Sequence, residues 1–329
     1  MKKQLLFSLS TLLLAGGLFV ACNKSSSNPS SSTTGTTTSD LQTQSNDETQ
    51  VTSEMDQTNN DANTALSAST SVSGSAVSAS SPGITTDGGS TSVTFNNIIC
   101  DASVVVDTAN GLRTVTITYN GTNCWGNRTR TGVVTISIPV GIHWRDTGAV
   151  VTVDIQNLKI TRLTDNKTIT LNGTYTYTNV TGGLLVDLAT RGTIIHQANA
   201  DSVTINFADS ATRIWSVARQ RTFTYNDGIV LAVTGLHSDG TNTGISVWGT
   251  NRYGNSFETV IEQPMTYAQS CDFRLVSGET KDVRPAVTVD VTYGLDSNGD
   301  PVTGCPTGYF YYKAVWTIGN KTYTFIAPY

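Results

Sequence analysis

The chain is poor in the residues on which most enzyme sites are built. Its 329 residues include three histidines and five cysteines. His143, His196 and His237 stand in "GIHWRD", "TIIHQ" and "GLHSDG", far apart, and none belongs to an H-E-x-x-H zinc motif. No two cysteines have C-x-x-C spacing, and no serine occupies a G-x-S-x-G elbow. The sequence therefore names no metal, no cofactor and no catalytic residue. Positive charge is scarce as well. Lys plus Arg total 20 against 25 Asp plus Glu, for a net charge of -5. Without a basic stripe, nucleic acid is not an expected partner. From residue 93 onward no helix-period pattern of ordinary length is present, so helical bundles and alternating α/β folds are not expected.

What is present begins with an export signal. Lys2 and Lys3 precede a mostly apolar run, Leu5 to Leu18, and small residues follow. "FVAC" places Ala21 directly before Cys22, with Phe19 three residues ahead of the cysteine. This resembles the lipobox of bacterial lipoproteins, with Phe19 where Leu is more usual. The resemblance implies cleavage before Cys22 and acylation of its thiol. Each buried methylene adds about 0.8 kcal/mol, so two or three acyl chains on one residue hold a protein to a bilayer. The rival, an uncleaved membrane helix, is weakened by Ser8, Ser10, Thr11 and Gly16-Gly17.

Three segments are expected: 1–21 a lipoprotein signal peptide, 22–92 the lipidated cysteine and a disordered Ser/Thr-rich linker, and 93–329 an all-β domain. The linker carries one Lys and seven acids between Asn23 and Ser92. Its composition cannot bury enough apolar area to offset ordering entropy. A coil of about 70 residues reaches roughly 45 Å. Glu48 to Leu66 has some helical character, but its apolar residues form no clear stripe.

The segment from residue 93 alternates apolar and polar residues. Ile169, Leu171, Tyr175 and Tyr177 share one face, as do Val134, Ile136 and Ile138, and Val287, Val289, Val291 and Tyr293. The phase slips between Ile155 and Leu158, which predicts a β-bulge at Gln156-Asn157. Turn signals include Asn110-Gly111, Asn120-Gly121, Asp227-Gly228, Asp239-Gly240, Asn298-Gly299 and Gly319-Asn320. At Asn172-Gly173 alternation runs straight through, which predicts a kink inside a strand. The expected fold is all-β: 13 to 16 strands in a large antiparallel meander, closed as a sandwich or a strongly curled, barrel-like sheet. A transmembrane barrel is the less favoured form, because the non-core faces carry Thr, Asp, Arg and Asn.

Cys100, Cys124, Cys271 and Cys305 remain besides Cys22. An even number in an exported chain reads as disulfides. Of three connectivities the sequence-local one, Cys100–Cys124 with Cys271–Cys305, is favoured. "TVTITYNGTNCWGNRTRTGVVTISI", "DTGAVVTVDIQNLKI", "GTNRYGNSFETVI", "SCDFRLVSGET" and "IGNKTYTF" together resemble a family of all-β lipoproteins of Bacteroidetes with no assigned activity. The resemblance implies an early cysteine, a Gly/Cys turn followed by Arg-x-Arg, two late cysteines and a final hairpin. It also implies lipid anchoring to the outer membrane of the cell envelope. Asn23-Lys24 and a Ser tract follow Cys22 instead of acidic export residues, so the membrane face stays open.

Candidate ligand contacts are loop tryptophans Trp125 and Trp144, suited to stacking on sugar rings, and Arg128 and Arg130, which share a strand face and suit an anionic sugar or phosphate. Glu258 with Glu262, and Asp146, Asp154 and Asp187, are candidate carboxylates for glycoside hydrolysis. Asp296, Asn298 and Asp300 are spaced as a calcium loop begins. The leading expectation is a non-enzymatic envelope lipoprotein with a structural or binding role, partnered by the membrane and with a glycan as candidate ligand. The alternatives are a glycan binder using loop aromatics and a carboxylate-dependent glycoside hydrolase. Oligomeric state is left open.

Overall fold

A computed structural model describes residues 37–74, 93–124 and 126–329. The signal segment and Cys22 lie outside the described residues, as does Trp125. A long helix α1 (Thr38–Ala68) and a short α2 (Thr70–Ser73) come first. The strands are β1 (Val93–Ile99), β2 (Ala102–Ala109), β3 (Leu112–Thr122), β4 (Arg128–Pro139), β5 (Ala149–Arg162), β6 (Thr168–Asn179), β7 (Thr193–Phe207) and β8 (Thr212–Tyr225). After them come β9 (Ile229–Gly235), β10 (His237–Ser238), β11 (Thr243–Thr250), β12 (Ser256–Ala268), β13 (Arg274–Arg284), β14 (Val287–Leu295), β15 (Tyr311–Ile318) and β16 (Lys321–Pro328). A one-turn helix α3 (Leu188–Arg191) lies between β6 and β7.

All 16 strands belong to one sheet and neighbours run antiparallel, as expected from hairpin connections without helical crossovers. Sequential neighbours pair from β1 to β8 and from β11 to β16. The exception lies in the middle. β8 pairs with β11 over Ile214–Val217 and with β9 over Arg219–Tyr225, and both β9 and β11 pair with β12. β9 and β11 thus lie end to end between two long strands. Among the described residues no ladder joins β1 to β16, so the sheet has a seam.

Local predictions fare well where alternation carries them. Register breaks between Ile155 and Leu158, where Asn157 adopts φ 49, which is the predicted bulge. Gly132 lies beside it, and a Cβ there would sit 2.4 Å from the Asn157 carbonyl oxygen. β6 runs through Asn172-Gly173, with a register break beginning at Asn172. Asn120-Gly121 is a correction: it lies inside β3, paired with Thr131 and Arg130, because the ladder with β4 extends past it.

The sheet curls around α1. Nineteen residues of the 31-residue helix are buried, on all sides of its axis. β1 and β16, the two ends of the sheet, both touch it. Residues 38–73, expected within a disordered linker, are therefore the centre of the domain. Thr37 caps the helix, its hydroxyl accepting from the Asp40 amide at 3.2 Å, and Gly74 ends α2 at φ 77. Val51, Met55, Ala62 and Leu66 form a narrow stripe packed against Val134, Ile136, Val153 and their neighbours. Most inward strand positions are apolar, with a few buried arginines among them, and Thr152, Thr174 and Thr176 are among those facing out. A membrane barrel has the opposite pattern.

Candidate functional site

The interior is held by ions as much as by apolar contact. Five acids of α1 meet arginines of the strands and of the β11–β12 turn. Asp47 receives Arg252 at 2.6 and 2.7 Å, and Glu48 pairs with Arg213. Glu54 pairs with Arg128, while Asp56 takes Arg221 at 2.5 Å and Arg219 at 3.4 Å. Asp61 receives Arg130 at 2.7 Å and the Tyr119 hydroxyl at 3.0 Å. Arg130 also grips both oxygens of Asp101, at 2.7 and 2.6 Å. Asp282 with Arg284 at 3.2 Å completes a set of seven carboxylates and seven guanidinium groups. Ions taken from water need such partners, since an unpaired buried charge is strongly unfavourable.

Protonation follows this environment. Burial pushes the Asp61 and Asp47 carboxyls up, against the pull of Arg130 and Arg252. Burial also opposes ionisation of Glu48, but Arg213 overrides it and the net shift is downward. Burial lifts Asp282 to about 6, with nearby Glu48 adding to the rise. Burial, and then the Arg221 charge, depress His196 to about 3.

The structure reassigns several sequence candidates. Trp144 is not an exposed ligand contact. It is fully buried, its indole N–H donating to Asn63 at 3.1 Å and its ring stacked on Tyr177 at 5.3 Å. Its loop closes over the end of α2, where the Trp144 and Arg145 amides donate to Val72 and Ser73. Arg128 and Arg130 are not open to an anion, because they are the sheet's partners for Glu54, Asp61 and Asp101. Cys100–Cys124 and Cys271–Cys305 form as expected.

The remaining candidates are scattered. His143 lies 3.7 Å from Asp146, His196 bonds the Tyr177 hydroxyl at 2.9 Å, and His237 stacks on Trp248 at 4.1 Å. Glu258 and Glu262 share the outward face of β12, where Glu258 accepts from Asn242 and Glu262 pairs with Lys281. Asp154 bonds Gln156 and Thr174, and Asp187 bonds the Leu184 amide. Asp296 accepts the amides of Asn298 and Asp300, closing their turn.

A two-lobed cleft opens onto α1 beside the β3–β4 turn and the segments around Phe273 and Phe310. The first lobe, about 580 Å³, has Ser53 and Gln57 of α1 as its floor. One wall carries Asn123, Asn127 and Arg128 of the β3–β4 turn, and the other carries Phe310, Tyr309 and Tyr329. The second lobe, about 440 Å³, shares Gln57, Asp272 and Phe273 with the first. Both disulfides border this region. Cys305 lines the first lobe, and Cys124 is chain neighbour to Asn123. Arg274 clamps the same loops, donating to the carbonyls of Cys271, Pro306 and Gly308 with its guanidinium 5.0 Å from the Phe310 ring.

Sequence reasoning missed the helix acids and the cleft residues of α1. A signal for the acids existed. Arg213, Arg219 and Arg221 have the same parity in β8 as Trp215, Val217 and Phe223, so alternation puts them on the buried face. Buried arginines demand carboxylates, and the acidic tract ahead of the sheet supplies them. Comparison with protein-family models, with curated proteins and with solved structures finds no match to this chain.

Proposed function

We propose that this protein is a lipid-anchored component of the bacterial cell envelope, tied to the outer membrane through Cys22, with a non-enzymatic binding role exercised at the cleft on α1. The observation that carries the binding role is the cleft itself, framed by both disulfide-linked loops and floored by a helix locked in place by ion pairs. Two lobes of this size fall in the range of small-molecule sites. The arginines that reach it are already committed, Arg128 to Glu54 and Arg274 to three carbonyls. What it offers a ligand is mostly amides, hydroxyls and ring faces, with Asp272 as the one exposed carboxylate among its described lining residues, an inventory that suits recognition.

The anchor rests on the "FVAC" lipobox and on the resemblance to Bacteroidetes lipoproteins. Because α1 begins at Thr38, only residues 23–37 separate Cys22 from the ordered core. Fifteen residues span at most about 54 Å, which keeps the domain close to the bilayer. The test is incorporation of labelled palmitate in cells expressing the full chain. Label in the parent and none in Cys22→Ala is expected, and label retained in Cys22→Ala would refute the anchor.

A further inference from the structure

The second lobe has two unlike walls. One is a stripe of α1 at helical spacing: Gln57, Asn60, Asp61, Thr64 and Ser67. The other is apolar: Leu185, Val186, Phe223, Ile229 and Phe273. The polar wall is preset by its neighbours. Arg221, which can only donate, bonds the Asn60 carbonyl oxygen at 2.6 Å. That contact fixes the amide orientation and leaves the Asn60 NH₂ group on the other side. The Asn60 nitrogen and the Ser67 hydroxyl are buried with no protein partner among the described residues. Unpaired donors are unfavourable at such depth, so this stripe is an incompletely satisfied polar wall beneath the lobe.

Phe273, which both lobes share, is held in an unusual backbone state. Asp272 and Phe273 adopt φ 63 and 54, a left-handed conformation that is a genuine outlier for a bulky residue. Hydrogen bonds from the Asp272 amide to the Gln269 carbonyl and from the Phe273 amide to the Ala268 carbonyl hold it, beside the Cys271–Cys305 disulfide. Strain of this kind persists where surrounding structure over-determines it, and it clusters at binding sites.

We propose that this cleft binds an uncharged oligosaccharide, a conclusion that rests on the binding role proposed above. A sugar ring has an apolar C–H face and a hydroxyl edge, matching the Phe273 wall and the Asn60–Ser67 stripe. Charge argues the same way. Asp61 is occupied by Arg130 and Tyr119, so an anion finds no free cation there and a cation finds only Asp272 at the exposed mouth. An acyl chain would strip hydrogen bonds from the amide wall without replacing them. The first lobe, with Tyr309 41% exposed on the wall opposite Asn123 and Asn127, extends the site to further sugar units.

The test is calorimetric titration of the full-length protein in a detergent without a sugar headgroup. The probes are maltotriose, cellotriose, mannotriose and chitotriose, with trigalacturonate and a Ser-Gly-Asn tripeptide as controls. At least one neutral trisaccharide is expected to bind. Phe273→Gly, which relieves the left-handed strain, should weaken it tenfold or more without lowering the melting temperature. Ser67→Leu, which fills the second lobe and suits a helix, should do the same. Binding untouched by both variants would overturn the site. Lost in Ser67→Leu, binding of trigalacturonate alone would overturn the uncharged-ligand assignment, and binding of the tripeptide alone would overturn the sugar assignment, each while keeping the binding role. No binding by any probe would overturn the inference, and palmitate labelling through Cys22 reports on the anchor separately.

Discussion

Arg130 of β4 donates to Asp61 of α1 at 2.7 Å, across 69 residues of chain, while its other nitrogens hold both oxygens of Asp101. One guanidinium thus serves two buried carboxylates. Removing one member of a buried pair costs about 3–5 kcal/mol, because the other is left charged and dry. Arg130→Met is expected at the upper end, about 5 kcal/mol, since it strands two acids. Asp61→Asn keeps a hydrogen-bonding group of the same shape and is expected to cost about 2 kcal/mol. Urea denaturation of both variants checks the order. Equal losses would mean that Asp101 does not depend on Arg130.

The helix is expected to be indispensable. A chain beginning at residue 91 keeps every strand but loses Asp47, Glu48, Glu54, Asp56 and Asp61. It leaves Arg213, Arg219 and Arg221 facing an emptied interior without their counter-charges, and Arg130 with Asp101 alone. Such a chain should not reach the native state, giving broad far-ultraviolet spectra and no cooperative melt. Addition of a peptide spanning residues 37–74 should restore a cooperative transition. A cooperative melt from residues 91–329 alone would show that the sheet closes without its core helix.

Strand placement was legible because alternation is a local property. Val134, Ile136 and Ile138 announce an inward face, and the slip from Ile155 to Leu158 announces the bulge, without reference to anything distant. The helix was not legible from the same kind of pattern. Thr, Ser and Asn dominate α1, residues of modest helix propensity, and its apolar stripe is narrow. Its order comes from contacts with distant parts of the chain, such as Arg130 in β4, 69 residues away, and Arg252 in the β11–β12 turn, 205 residues away. Trp144 misled for the same reason: its loop looks exposed until the helix beneath it is known. The cleft needs the whole curled sheet, since its walls come from the β3–β4 turn and from the chain's last strands.

Gly132 should tolerate no side chain. Its φ is 127, and a Cβ would lie 2.4 Å from the Asn157 carbonyl oxygen and 2.7 Å from Leu158 Cα, both backbone atoms opposite the bulge. Gly132→Ala must push β4 and β5 apart, at a cost of about 3–4 kcal/mol. Gly111 provides the control. It also has positive φ, 75, but nothing lies within 4 Å of its added Cβ. Gly111→Ala should cost only the left-handed penalty, about 1–2 kcal/mol. Denaturation midpoints of the two variants separate steric from conformational strain.

Two buried groups are expected to give stability opposite dependences on pH. His196 is packed among Trp144, Tyr177, Phe223 and Arg221, and its folded pKa is about 3. The unfolded chain takes up that proton near pH 6.5, so the folded state binds fewer protons between the two values. Stability from this group is complete above the unfolded pKa and is lost as pH falls, by roughly 3 kcal/mol between about pH 7 and about pH 4. Asp282 runs the other way. Facing Arg284, Thr259, Glu48 and Arg213, it has a folded pKa of about 6 against an ordinary 3.8. Its folded form binds the extra proton, so its contribution is complete at low pH and declines by roughly 2 kcal/mol as pH rises from about 4 to about 6. His196→Phe should flatten the acid limb of the profile, at a cost of about 1 kcal/mol near neutrality for the orphaned Tyr177 hydroxyl. Asp282→Asn should steepen the same limb by removing the opposing slope. Unfolding free energies measured at intervals of one pH unit check both, and an unchanged limb in His196→Phe would mean that His196 is not the group whose protonation opposes folding.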